Sequence, residues 1–109
     1  MKNLLIKDDV IGEKGQLGGI LMQSFLASIK ECEKLPEAIY FVNRGVFLTT
    51  NAEDKEIIAI LKELESLGVA IYSCKTCLNY FKLNVVVGKE GNAKDTMNAM
   101  LKADNTLCL

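Results

Sequence analysis

Four cysteines and no histidine set the chemical vocabulary of this chain of 109 residues. Two of them, Cys74 and Cys77, bracket Lys75-Thr76 and directly follow the apolar run Val69-Ala70-Ile71-Tyr72. A Cys-x-x-Cys pair can act as a redox dithiol, carry sulfur as a persulfide, supply half of a zinc site, or close a structural disulfide. The thiolate is the reactive form, and unsatisfied amides at a helix start stabilise it, lowering the thiol pKa from about 8.5. Leu78-Asn79-Tyr80-Phe81 offers a helical turn just after the pair, while Lys75 and Arg44 offer positive charge.

The missing histidine narrows the field. It removes the side chain whose ordinary pKa best suits proton transfer near neutrality, and with it Ser-His-Asp, Cys-His and every histidine-containing metal site. Thirteen basic residues stand against 14 acidic ones, for a formal charge of −1. The lysines are scattered beside acids, as Lys55 is between Asp54 and Glu56, so the basic face of a nucleic-acid binder is not expected. No apolar run reaches signal-peptide or transmembrane length, which places the expected location in the cytoplasm, away from the membrane. Cofactors are not called for by any motif.

The other readings of the cysteines have their own requirements. A zinc site within one chain would need Cys32 and Cys108 as its remaining ligands. Cys32 falls on the apolar stripe of a helix and Cys108 in an apolar terminal segment, so both are expected to be packed core residues. A structural disulfide is not needed by an intracellular chain of this size. A further reading takes Cys74 and Cys77 simply as small buried residues beside a turn. Thioredoxin-like chemistry fits poorly, since the pair comes late in the chain and Pro36 precedes a different strand. Asp8 and Asp9, in a nearby loop, are expected to be solvated turn formers.

The elements that position these residues follow from periodicity. Leu17, Leu21, Phe25 and Ile29 recur at four-residue steps, with Met22 and Leu26 widening the stripe, predicting a helix covered on much of its circumference and ending near Lys34, before Pro36. Ala38 to Val42 reads as a buried strand closed by Asn43-Arg44-Gly45. Thr50-Asn51-Ala52-Glu53 has the form of a capping box. The helix after it carries Ile57, Ile58, Leu61 and Leu64 on one face and stops at Gly68. Val69 to Tyr72 is a strand, Val85-Val86-Val87 another, and Gly88 to Asn92 a loop. Met97, Met100 and Leu101 mark a last helix, and Thr106 to Leu109 a terminal strand. Alternating strands and helices predict one domain, residues 1–109, built on a parallel sheet covered on both faces. Ligands in such sheets bind beyond the carboxyl ends of strands, where the Asp8-Asp9, Asn43-Arg44-Gly45 and Cys74-to-Cys77 segments all begin.

Several stretches resemble the DsrE-like domain of YedF-type proteins: Leu17-Gly18-Gly19-Ile20-Leu21-Met22-Gln23-Ser24-Phe25-Leu26, Leu35-Pro36-Glu37-Ala38-Ile39, Asn43-Arg44-Gly45-Val46, and Ser73-Cys74-Lys75-Thr76-Cys77-Leu78, with Met100 to Asp104 continuing the match. The resemblance implies a flavodoxin-like three-layer α/β domain of the DsrE/DsrF group, whose members relay sulfur as a cysteine persulfide, usually as oligomers. It implies that Cys74 carries the sulfur and Cys77 assists, with Asn43, Gly45, Lys75 and Thr76 shaping the substrate site. The implied partners are a sulfur donor or acceptor protein, TusA-like among them, and further copies of the chain as dimer, trimer or hexamer. Lys75 departs from the glycine usual there, and Lys89 to Ala93 lacks the Asn-Met-Tyr type of loop. The TusA-like domain of longer YedF proteins is not part of this sequence, so a stand-alone or truncated version is expected. The alternatives are a non-catalytic assembly module of the same fold and a dithiol redox protein.

Overall fold

In a computed structural model, which describes residues 2–109, five parallel strands form one sheet in the order β4-β3-β2-β1-β5. The strands are β1 (Lys2–Ile6), β2 (Ala38–Phe41), β3 (Ala70–Cys74), β4 (Lys89–Gly91) and β5 (Asn105–Cys108). Between them lie α1 (Gln16–Ser28), α2 (Phe47–Thr50), α3 (Lys55–Ser66), α4 (Lys75–Phe81) and α5 (Ala93–Lys102), with short 3-10 turns at Ile29–Glu31 and Asn43–Val46. The expected three-layer α/β architecture is present. Among the described residues, no helix is long and apolar enough to cross a membrane.

Pairing register decides which side chains share a face, because successive strand residues point to opposite sides. Leu4, Ile39 and Ile71 stand abreast, as do Ile6, Phe41 and Ser73. This face packs on Met22 and Leu26 of α1 and on Ile57, Ile58, Leu61 and Leu64 of α3, forming one continuous buried core. The opposite face carries Leu5, Tyr40, Tyr72 and Cys74 toward α5. Asn3, buried on that face, donates its side-chain amide to the Ala99 carbonyl at 3.3 Å and so ties β1 to α5.

Several expected boundaries shift, each for a visible reason. α1 ends at Ser28 rather than near Lys34: the Ser28 hydroxyl donates to the Phe25 carbonyl at 2.8 Å, and the chain tightens into a 3-10 turn. Its circumference is also less covered than the stripe predicts, with Leu17, Ile20 and Phe25 exposed. The capping box does not form, because Val46 to Thr50 is already helical and the Thr50 hydroxyl donates back to the Val46 carbonyl at 2.9 Å. Asp54 caps α3 instead, accepting the Ile57 amide at 3.3 Å. Val85 to Val87 is not a strand: the Val86 and Val87 amides both donate to the Thr49 carbonyl, at 2.8 and 3.4 Å. Gly88 then turns with φ 81° over Ile71, where a Cβ would lie 2.6 Å from Ile71 Cγ2. Only glycine suits that position. The edge strand β4 therefore falls in the predicted loop.

Candidate functional site

Cys74 is the last residue of β3 and also the N-cap of α4, so strand passes into helix with no intervening loop. Its side chain makes no capping hydrogen bond. Cys77 sits on the first turn of α4, half-buried against the core. Its Sγ accepts the backbone N–H of Asn43 at 3.1 Å. Asn43 adopts φ 51°, a left-handed conformation that asparagine tolerates better than most residues. That conformation opens the 3-10 turn from which the amide points to sulfur.

The two thiols are neighbours. Burial pushes the Cys77 thiol above its ordinary range; the Asn43 amide opposes this, while Cys74 raises it further through a hydrogen bond and the repulsion of a second thiolate. Two adjacent thiolates are costly, so the pair favours holding at least one proton. All four cysteines are free. Cys32 and Cys108 are exposed, contrary to the core packing expected of them. Cys32 lies just past the 3-10 turn that ends the first helix, and Cys108 on an edge strand with solvent beside it. Among the described residues, no group of three or more Cys, Asp or Glu is placed to hold a metal ion.

The remaining predicted residues divide. Gly45 is buried and packs so closely on β1 that a Cβ would collide with the Ile6 carbonyl oxygen. Thus Gly45 seats the Asn43 turn against the sheet. Lys75 and Thr76 are exposed on the first turn of α4. Arg44 does not lend its charge to the thiols: it pairs with Asp9 at 3.4 Å and Asp8 at 3.8 Å, and its guanidinium lies 4.8 Å from the centre of the Phe47 ring. Asp8 and Asp9 also hold Lys14, so they are ion-paired rather than simply solvated. Partial burial resists ionisation of Asp8, but the Lys14 and Asp9 hydrogen bonds outweigh it and hold the carboxyl below its usual range.

Three features were not singled out by sequence reasoning. Directly before Cys74, the buried Ser73 hydroxyl shares a 2.6 Å hydrogen bond with Thr49, whose hydroxyl also contacts the Val46 carbonyl at 3.1 Å. On the other face, Tyr40 and Tyr72 stack with centroids 5.4 Å apart. Beside them, Cys74 lines an apolar cavity of about 240 Å³ bounded by Leu5, Tyr40, Tyr72, Met97 and Met100. One signal was available: Ala-Ile-Tyr occurs at both 38–40 and 70–72, and the register sets the two copies side by side.

Comparison with known proteins gives two positive findings. The DsrE/DsrF-like family model matches residues 20–109. The crystal structure of the ychN protein from E.coli superposes with a TM-score of 0.70 at 17% identity, covering 100% of both chains. That likeness concerns the fold. No curated protein matches the sequence.

Proposed function

The chain belongs to the DsrE/DsrF-like family, and from that premise we propose that it is a sulfur carrier acting through a persulfide on Cys74, in a single DsrE-like domain spanning residues 1–109. The observation that carries this reading is the pairing of two free thiols at one strand end, one opening into a cavity and the other anchored by the Asn43 amide. The Cys74 thiolate attacks the outer sulfur of a donor persulfide; the donor's S–S bond breaks and the donor leaves as a thiolate. Cys77 then has two uses. It shares a proton with the loaded site, or its thiolate attacks Cys74 Sγ, releasing hydrosulfide and leaving a Cys74–Cys77 disulfide. In that second step the two thiols supply the electron pair that reduces the sulfane sulfur.

In this reading Asn43 and Gly45 form the turn that fixes Cys77, while Lys75 and Thr76 present an exposed rim to the partner. The sulfur donor or acceptor is a protein of the TusA-like kind, the location is the cytoplasm, and the chain is of the YedF type. The YedF assignment is supported by the Ser-Cys-x-Thr-Cys-Leu segment at 73–78. A homo-oligomer is part of the proposal, supported by the unpartnered apolar side chains Leu17, Ile20 and Phe25 along α1.

The test uses a Cys32→Ser/Cys108→Ser background, because both of those thiols are exposed and would react on their own. Incubation of the reduced protein, also carrying Cys77→Ser so that the adduct is not resolved, with a small-molecule persulfide donor and intact mass measurement should show one added sulfur, absent when Cys74 is also serine. Absence of the adduct, or its persistence in Cys74→Ser, removes the assignment. A dithiol redox role draws on the same contact between thiols. It predicts a Cys74–Cys77 disulfide that exchanges with small dithiols without any sulfur adduct ever accumulating.

A further inference from the structure

The cavity beneath Cys74 continues into a second one. Tyr40, Tyr72, Gly91 and Thr96 line both, and the second, of about 450 Å³, runs between the sheet and α5. Its chemistry differs sharply from that of the first. Around it stand Glu37, Glu90 and Asp95, against a single Lys102. At the junction lies Tyr40, a residue only 7% exposed, whose hydroxyl is not itself fully buried and makes no hydrogen bond to any described residue. Burial, followed by the charges around it, from Tyr72, Glu37 and Asp95, holds that phenol protonated beyond its usual range. That hydroxyl is therefore open to a hydrogen bond from water or a ligand in the cavity. The two spaces together, one apolar and one polar, fall within the range of roughly 300–1,000 Å³ typical of small-molecule sites.

We propose that these two cavities form one subsite for a low-molecular-weight thiol carrying a positive charge distal to its sulfur, which would accept sulfur from Cys74. The inference rests on the carrier role of Cys74. Sulfur enters the apolar chamber lined by Met97 and Met100; the cation lies over the Tyr40 hydroxyl, which accepts its hydrogen bond, between Glu37 and Asp95. Tyr72 is two strand residues from Cys74, roughly 7 Å of rise, and Glu37 lies beyond it at the other end of the sheet. The charge must therefore sit several bonds from the thiol. In the transfer step the acceptor thiolate attacks the outer sulfur of the Cys74 persulfide. The S–S bond of the persulfide breaks, Cys74 is left as thiolate, and the acceptor departs as a persulfide with no external oxidant or reductant.

N-acetyl-Cys-Gly-Lys-amide and N-acetyl-Cys-Gly-Glu-amide are suitable probes, since their thiols have the same local chemistry and only the distal charge differs. Protein with Cys32→Ser, Cys77→Ser and Cys108→Ser is loaded with a small-molecule persulfide donor, and loss of the added sulfur is followed by mass. The lysine peptide should discharge Cys74 about three- to fivefold faster at low salt, the scale an exposed ion pair delivers. The ratio should shrink as salt rises. In Glu37→Gln/Asp95→Asn it should approach one; Asp95→Asn keeps the oxygen that accepts the Asn92 side-chain amide. Mixed-disulfide formation with thiopyridyl-activated forms of both peptides reads the same preference without any sulfur transfer. Equal rates, a preference for the glutamate peptide, or a preference that survives the double variant overturns the subsite. Failure of Cys74 to load overturns the carrier role instead, and the disulfide arm still decides the groove.

Discussion

The backbone N–H of Asn43 donates to Cys77 Sγ across 34 residues of sequence. This bond joins the turn after β2 to the helix after β3, and it selects between the two thiols. Cys77 is held in place by a donor, whereas Cys74 faces a cavity. Burial raises the Cys77 thiol and the neighbouring Cys74 adds to the rise, with the amide opposing both. Peptide-level alkylation of the folded protein should therefore show Cys77 as slow near neutrality, accelerating only at a pH above the ordinary thiol range of about 8.5–9. In urea its profile should return to the ordinary range. A Cys77 midpoint at or below that of an unfolded thiol would contradict the described environment.

The buried hydroxyl pair behind Cys74 makes an asymmetric prediction. Thr49 bonds both Ser73 and the Val46 carbonyl, whereas Ser73 has Thr49 alone. Thr49→Val strands the Ser73 hydroxyl and should cost about 1–3 kcal/mol. Ser73→Ala leaves Thr49 with its carbonyl partner and should cost about 1 kcal/mol or less. Urea unfolding of the two variants and of Thr49→Val/Ser73→Ala checks this: the double variant should be less destabilised than the sum.

Gly45→Ala should destabilise by about 1–3 kcal/mol or more, since its Cβ meets the backbone of Ile6, which cannot move without disturbing the sheet. The same variant should loosen the Asn43 turn. Hydrogen exchange at the Asn43 amide is the direct measurement, and it should accelerate more than that of Leu61, which sits deep in the core of α3. Unchanged exchange would mean that the turn does not depend on this close approach.

Light scattering after size exclusion tests self-association through α1. A mass above the 12.0 kDa of one chain is expected at micromolar concentration and above. Ile20→Gln/Phe25→Gln alters only exposed positions and should restore the single-chain mass with little loss of stability. An oligomer that survives both substitutions must use another surface.

What was legible in the sequence was whatever depended on neighbours in the chain. Ala38 to Phe41 and Ala70 to Tyr72 announced strands through their own apolar runs, α3 through its stripe, and the cysteine pair through following a strand. What escaped depended on distant partners. Val85 to Val87 looks like a strand, yet its amides are taken by one carbonyl at Thr49, a preference no local pattern records. Asn43 was expected to shape the substrate site, and the bond its amide makes to Cys77 from a left-handed turn was not foreseen. Asp54 caps α3 where the Thr50 capping box was expected, because the short helix ending at Thr50 was not foreseen. The stacked tyrosines were hidden only by reading each strand alone, since register makes neighbours of two identical tripeptides.

The two outer strands differ in what they leave open. β4 is three residues long and offers Lys89, Glu90 and Gly91, a short and charged border that discourages another strand from adding. β5, at the other border, presents the uncharged Asn105-Thr106-Leu107-Cys108. Sheet growth is thus permitted in one direction only. Two copies meeting border to border through β5 would use up each other's open edge and close as a pair. The blunt β4 border then acts as a terminator, denying this sheet the head-to-tail repetition on which a fibre depends.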